Sequence, residues 1–254
     1  MKVTLFGIPG SHPVMSARLM LKHKGIEYRR VDLLPVMSRG MMRMLGFPGN
    51  RVPALRIDGR RIQGTQHISR ELDRIKPDPP LFPADPDRRR AVEEAEAWGD
   101  PFQQIPRTII WWALKREPSA QVGFLEDAKL GLPATVLAKT SAPIVWGARR
   151  LNDSYDETVE RTLAELPPAL DKIDGWIADG VLNGAEPNAA DFQIAPTLRL
   201  LMSFADLEPL IMERPAGRLA TTLLPTPPGH IGPVFPVAWL APLRPAAPAA
   251  TPGA

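Results

Sequence analysis

The stretch that most constrains this chain is residues 51–72, RVPALRIDGRRIQGTQHISREL. Ala54-Leu55-Arg56-Ile57 and Arg60-Arg61-Ile62-Gln63 alternate apolar with polar residues, and Asp58-Gly59 between them supplies the positive φ of a two-residue turn. The pattern predicts a β-hairpin. Pro53 cannot donate to a strand ladder, so it belongs at an edge or in a special turn, and an X-Pro bond is the one place where a cis peptide is cheap. Val52 is therefore expected to present its backbone to something outside the sheet. After the hairpin, Gly64 permits a sharp turn, and Thr65 is expected to N-cap a helix whose Ile68, Leu72 and Ile75 fall at spacings of four and three. A helix start with free amides behind a Val-Pro turn is a ready place for a carboxylate.

Residues 3–8 read as a short buried strand stopped by Pro9-Gly10. Ser11 then opens a helix that tolerates Pro13 in its first turn, turns Ala17, Met20 and Leu21 inward, and ends at Lys24-Gly25. A second strand over 27–33 completes a βαβ unit. The Met-rich segment 35–49 is read as a short helix over 39–45 and a loop. The expected order through residue 76 is βαβαββα. Residues 77–86 form a proline-rich linker that cannot be helical through its middle. Residues 87–224 are expected to be all-helical, over 87–98 with a continuation to about 115, then 133–151 and 154–179. Prolines 101, 106, 143, 167 and 168 should kink or break these helices. Asn188-Ala189-Ala190-Asp191 has the form of a capping box with Asp in place of Glu or Gln, opening an apolar helix with Phe192, Ile194, Ala195, Leu198 and Leu201. Residues 225–254 are expected to be an extended surface tail with a disordered low-complexity end, APLRPAAPAATPGA.

Val-Pro-x-Leu, a hairpin, then a Ser/Thr at a helix start resembles the thioredoxin-like half of the glutathione transferase family, and the cap at Asn188 and Asp191 resembles the one in that family's buried central helix. The resemblance implies a thioredoxin-like α/β domain followed by an all-α domain. It implies that the residue before a cis-proline, here Val52 with Pro53, holds the cysteinyl backbone of glutathione, and that the capping residue, here Thr65, holds the γ-glutamyl carboxylate. Many members carry Glu, Gln or Asp where this chain has Gly64, so an acceptor for the ligand's ammonium is missing. Ser11 sits where serine-type members place their active hydroxyl. The implied activity is conjugation of a low-molecular-weight thiol, glutathione as co-substrate, to an electrophilic apolar compound. The alternative is a non-catalytic member of the same fold that binds ligands or proteins. A homodimer is expected by the same analogy.

A serine cannot act as a base near neutral pH, but it can donate a hydrogen bond to a bound thiolate beside the positive end of a helix. A free thiol has a pKa of about 8.5, and lowering it by roughly 2 units takes about 2.7 kcal/mol. One or two charge-assisted hydrogen bonds, at about 1.5–3 kcal/mol each, are enough. A plain N-cap is the bland reading of Ser11. His12 is read as a solvated first-turn residue within reach of a ligand. Arg51, Gln66 and Arg39 are candidates for a ligand carboxylate, against the plainer reading of surface side chains. Trp98, Phe102, Ile105 and Ile109 recur at four, three and four, and are read as one helix face offering an apolar pocket to the electrophile, against an ordinary packing stripe.

Composition narrows the chemistry. The chain has no cysteine, which excludes disulfides, thiolate metal sites and a cysteine nucleophile, so any thiol must arrive as substrate. Its 31 Lys plus Arg against 28 Asp plus Glu leave a formal charge of +3 with interspersed signs, too small to argue for nucleic acid. His23, His67 and His230 are scattered with no ligand spacing, so no metal site is expected, and no phosphate loop is present. With neither a secretory pattern nor an apolar run of about 18 residues, the expectation is a cytoplasmic protein without a membrane span.

Overall fold

The computed structural model describes residues 1–34 and 38–243; within these, the Arg39 side chain lies outside the described residues. The first half is an α/β layer. Strands β1 (Val3–Gly7), β2 (Arg29–Asp32), β3 (Ala54–Ile57) and β4 (Arg60–Gln63) form one sheet in the order β2-β1-β3-β4. β1 runs parallel to β2 and antiparallel to β3, and β3 pairs antiparallel with β4. The hairpin turns at Asp58 (φ 46°) and Gly59 (φ 90°), both left-handed as a two-residue turn of this type demands. Helices α1 (His12–His23), α2 (Ser38–Met44) and α3 (Thr65–Ile75) complete the βαβαββα order, which is a thioredoxin-like domain. Leu5, Leu55, Ala17, Leu21, Ile68 and Leu72 close its core without solvent exposure.

The remainder is helical. α4 (Pro86–Phe102) and α5 (Gln104–Arg116) are followed by the short α6 (Gln121–Leu125) and α7 (Ala134–Lys139), then α8 (Ala142–Leu151), α9 (Asp156–Ala164) and α10 (Leu166–Ala178). α11 (Ala189–Leu201), α12 (Glu208–Met212) and α13 (Pro215–Leu223) complete it. The expected helix over 133–151 is two helices, breaking at Thr140 and Ser141 before Pro143. That over 154–179 is also two, breaking at Glu165 ahead of Pro167 and Pro168, whose missing N–H groups suit a first turn. α11 is buried along its whole length and packs against α1, α4 and α13, which makes it the axle between the two halves.

Two further expectations differ from the structure. Gly64, not Thr65, is the N-cap of α3. Its φ of 89° is a glycine conformation, and its carbonyl accepts the first helical bond from Ile68 N–H at 3.0 Å, which makes Thr65 the first helical residue. The segment after residue 225 is not a surface tail throughout. Ile231, Phe235 and Leu240 are buried, Ile231 bridges to Phe204, Phe235 stacks on Trp112, and Val237–Leu243 forms a 3-10 helix. Aromatic area at the end of a polar, proline-rich stretch finds cover against α5. Residues 244–254 of the low-complexity end lie outside the described residues. No described helix is long and apolar enough to cross a membrane.

Candidate functional site

One cleft runs between the hairpin side of the sheet and α5. Its first compartment is walled by Arg51, Val52, Pro53, Gly64, Thr65 and Gln66, with Arg107 from the helical half. Its second holds Ser11 and His12 below and Gln104, Ile110, Trp111 and Leu114 above. Asn50, Arg51, Val52 and Arg107 belong to both, so the compartments are continuous.

The first compartment is an array of backbone donors. The Val52-Pro53 peptide is cis. Neither the N–H nor the C=O of Val52 has a hydrogen-bond partner among the described residues. Gln63 holds this loop in place. Its Oε1 accepts from Gly49 N–H at 2.7 Å, and its Nε2 donates to the Arg51 carbonyl at 2.6 Å. The first amides of α3, at Thr65, Gln66 and His67, have no acceptor among the described residues, and no acidic residue stands in that turn. The helix start is fixed to the helical half through Ser69, whose Oγ donates to Glu96 Oε1 at 2.6 Å, and through the Arg70–Glu96 ion pair. Glu96 is fully buried. Burial pushes its carboxyl up, and the bonds from Arg70 and Ser69 pull it back.

In the second compartment Ser11 occupies the N-cap position of α1, with extended backbone (φ −74°, ψ 116°), but its hydroxyl makes no capping bond. It is half-buried, and the α1 start behind it contains Pro13. His12, read as solvated, is instead buried, because Gln103 and Arg107 of the helical half cover it. Burial first, then the Arg107 cation, hold its imidazole well below the ordinary value, while a backbone hydrogen bond at Gln103 opposes them. The ring is neutral near pH 7, and its Nε2 has no partner among the described residues.

The structure brings Ser11, His12, Arg51, Val52, Pro53, Thr65 and Gln66 to this cleft. Arg39 belongs to α2, and its side chain is outside the described residues. Trp98, Phe102, Ile105 and Ile109 are not in the cleft. Their supposed stripe spans two helices, since α4 ends at Phe102 and α5 begins at Gln104. Trp98 stacks on Phe102 at 4.9 Å and meets Trp176 edge-on at 5.2 Å. With Ile105, these two face a separate groove against α9 and α10, whereas Ile109 is wholly core. The wall of the second compartment is the other face of α5, at 107, 110, 111 and 114. Arg107 and Gln63 are not among the candidates that the sequence offers. A polar Gln-Gln-x-Pro-Arg opening to an otherwise apolar helix was the available signal for the first, and nothing short of the fold marks the second.

Asn188 and Asp191 lie elsewhere, at the start of α11, in a reciprocal capping box. Asn188 Oδ1 accepts from Ala190 and Asp191 N–H at 2.9 and 3.3 Å, and Asp191 accepts from Asn188 N–H at 2.9 Å. Among the described residues no group of three His, Cys, Asp or Glu side chains could hold a metal.

The cleft thus combines unpaired backbone donors, the arginines Arg51 and Arg107 and a helix-start hydroxyl, on a thioredoxin-like domain joined to helices. Residues 5–80 match the model of the glutathione S-transferase N-terminal domain. Similar solved structures share its fold. A glutathione S-transferase from Rhodospirillum rubrum is 21% identical over 89% of each chain, with a TM-score of 0.60. The β-etherase LigF from Sphingobium is 18% identical over 89% of this chain and 91% of that one, TM-score 0.57. FzlA from C. crescentus is 19% identical over 90% of each, TM-score 0.56.

Proposed function

We propose that the protein conjugates a low-molecular-weight thiol, glutathione in the first instance, to an apolar electrophile. The observation that carries this reading is the convergence on one cleft of Ser11, the unpaired backbone of Val52 before cis-Pro53, and the open amides of α3. Val52 N–H and C=O pair with the thiol's peptide backbone as an added strand would. The amides at Thr65 and Gln66, with the Thr65 hydroxyl, take a carboxylate. The sulfur then lies over Ser11, whose O–H donates to the thiolate, and the thiol proton leaves to solvent. The thiolate's electron pair forms the new C–S bond, and the leaving group departs with the pair of the bond it gives up. By analogy with the family, the proposal extends to a homodimer in the cytoplasm, whose stoichiometry size-exclusion chromatography reads.

The direct test is turnover of glutathione with 1-chloro-2,4-dinitrobenzene. Removing one charge-assisted hydrogen bond in Ser11→Ala should slow it by about 10- to 100-fold. Undiminished turnover in that variant would move the activating role to another group. Gly64 supports a second reading, a binding protein without turnover, because it supplies no side-chain acceptor for a ligand ammonium. Binding of glutathione without conjugation of any electrophile would favour it.

A further inference from the structure

Arg107 is out of place in a purely apolar electrophile pocket. It projects from the face of α5 that also carries Ile110, Trp111 and Leu114, and it stands where the two compartments meet. Its one hydrogen-bond partner is neutral, the Gln103 Oε1 at 2.8 Å, and it forms no ion pair among the described residues. Asp100, the acid nearest in influence, is exposed and walls only the first compartment. Among the described residues no Asp or Glu lines the second compartment. Arg51 adds a second cation at the junction, but it is exposed and so is screened by water. Burial and Arg51 together push the Arg107 guanidinium down from its ordinary value, the direction expected of a cation that lacks its anion. A half-buried guanidinium without a carboxylate is costly, and an entering anion would remove that cost.

We propose that the second compartment takes amphipathic carboxylates, the apolar or aromatic body lying against Ile110, Trp111, Leu114 and Phe124 and the carboxylate on the guanidinium of Arg107. As a statement about the second substrate it rests on the thiol-transfer reading; as a binding site it stands without it. A bidentate guanidinium–carboxylate pair in a low-dielectric wall discriminates sharply between an acid and its ester, which fill the same volume.

The experiment is calorimetric titration of the whole protein with 2-naphthoate and with methyl 2-naphthoate, for the wild type, Arg107→Gln and Arg107→Lys, each with and without reduced glutathione. The acid is expected to bind about tenfold or more tightly than the ester in the wild type. Arg107→Gln should bring the acid down to the ester's level, and Arg107→Lys should keep part of the preference. Equal affinity for acid and ester in the wild type, a preference that survives Arg107→Gln, or binding of neither would overturn the proposal. Displacement of naphthoate by glutathione would also overturn it, since Arg107 would then serve the thiol's own carboxylate. Absence of glutathione binding with the acid preference intact would remove the thiol-transfer reading alone.

Discussion

The starts of α3 and α11 are the same local problem solved in opposite ways. Each helix exposes several amides that lack a partner within the helix. At α11, Asn188 and Asp191 close them reciprocally, Asp191 also accepts from Asn183 N–H at 2.7 Å, and the assembly is buried. At α3 the cap is Gly64, no side chain reaches back, and the amides open onto the cleft. A closed start contributes to folding, whereas an open one gives up that stability and leaves its amides free to meet an anion.

The other end of α3 sharpens the contrast. Lys24, without solvent exposure, donates to Asp73 at 2.7 Å and to the carbonyls of Lys76, Pro77 and Pro79 at 2.7, 3.3 and 2.6 Å, closing the chain that leaves the helix. The largest expected effect is therefore at that closed end. Lys24→Met leaves a carboxylate and three carbonyls without their cation and should cost about 3–5 kcal/mol in denaturant unfolding. Asp191→Ala should cost roughly 2–4 kcal/mol, because two amides lose their acceptor, while glutathione affinity stays at the wild-type level. An equal loss of affinity would break the division between a folding terminus and a binding one.

Gly64→Ala should cost about 1–3 kcal/mol, from the φ of 89° rather than from crowding, since the nearest atom to an added Cβ is at 3.7 Å. Unlike Asp191→Ala, it should also weaken glutathione binding. The smallest effect is on pH dependence, where two helix starts titrate in opposite senses. His12, at the start of α1, is held neutral in the folded state, so the unfolded chain takes up the extra proton below about 6.5 and stability falls as pH drops. Burial raises Asp191 to about 6 against the pull of the Asn183 and Asn188 amides, so between there and the ordinary carboxylate value the folded state takes the proton and stability rises as pH drops. In urea unfolding across pH 6.5 to 4, His12→Asn should remove the first slope, worth up to about 1.4 kcal/mol per pH unit, and expose the second.

What the sequence made legible was local. Asp58-Gly59 set the hairpin, whose strands fall where the alternation places them, and Asn188-x-x-Asp191 set the start of α11. The Val52-Pro53 turn and the α3 start, four residues of pattern on either side of that hairpin, also met at one cleft. What failed depended on contacts between the halves. Helical periodicity carried through Gln103 gives one stripe, but across the break between α4 and α5 Trp98, Phe102 and Ile105 face the groove against α9 and α10 while Ile109 is core. The burial of His12 needs α5 above it, and Phe235 and Trp239 needed Trp112 to pack on. Thr65 was one residue out as a cap because propensity favours a hydroxyl there, while the turn itself required φ > 0 and so took the glycine before it.

The most direct test of the open terminus is titration of reduced glutathione into the wild-type protein and into Thr65→Ala. Saturable binding in the wild type, weakened by about tenfold when the hydroxyl beside the free amides is removed, is the predicted result. No saturation at millimolar glutathione, or identical binding by both proteins, would contradict the assignment of the α3 start as the thiol's carboxylate site.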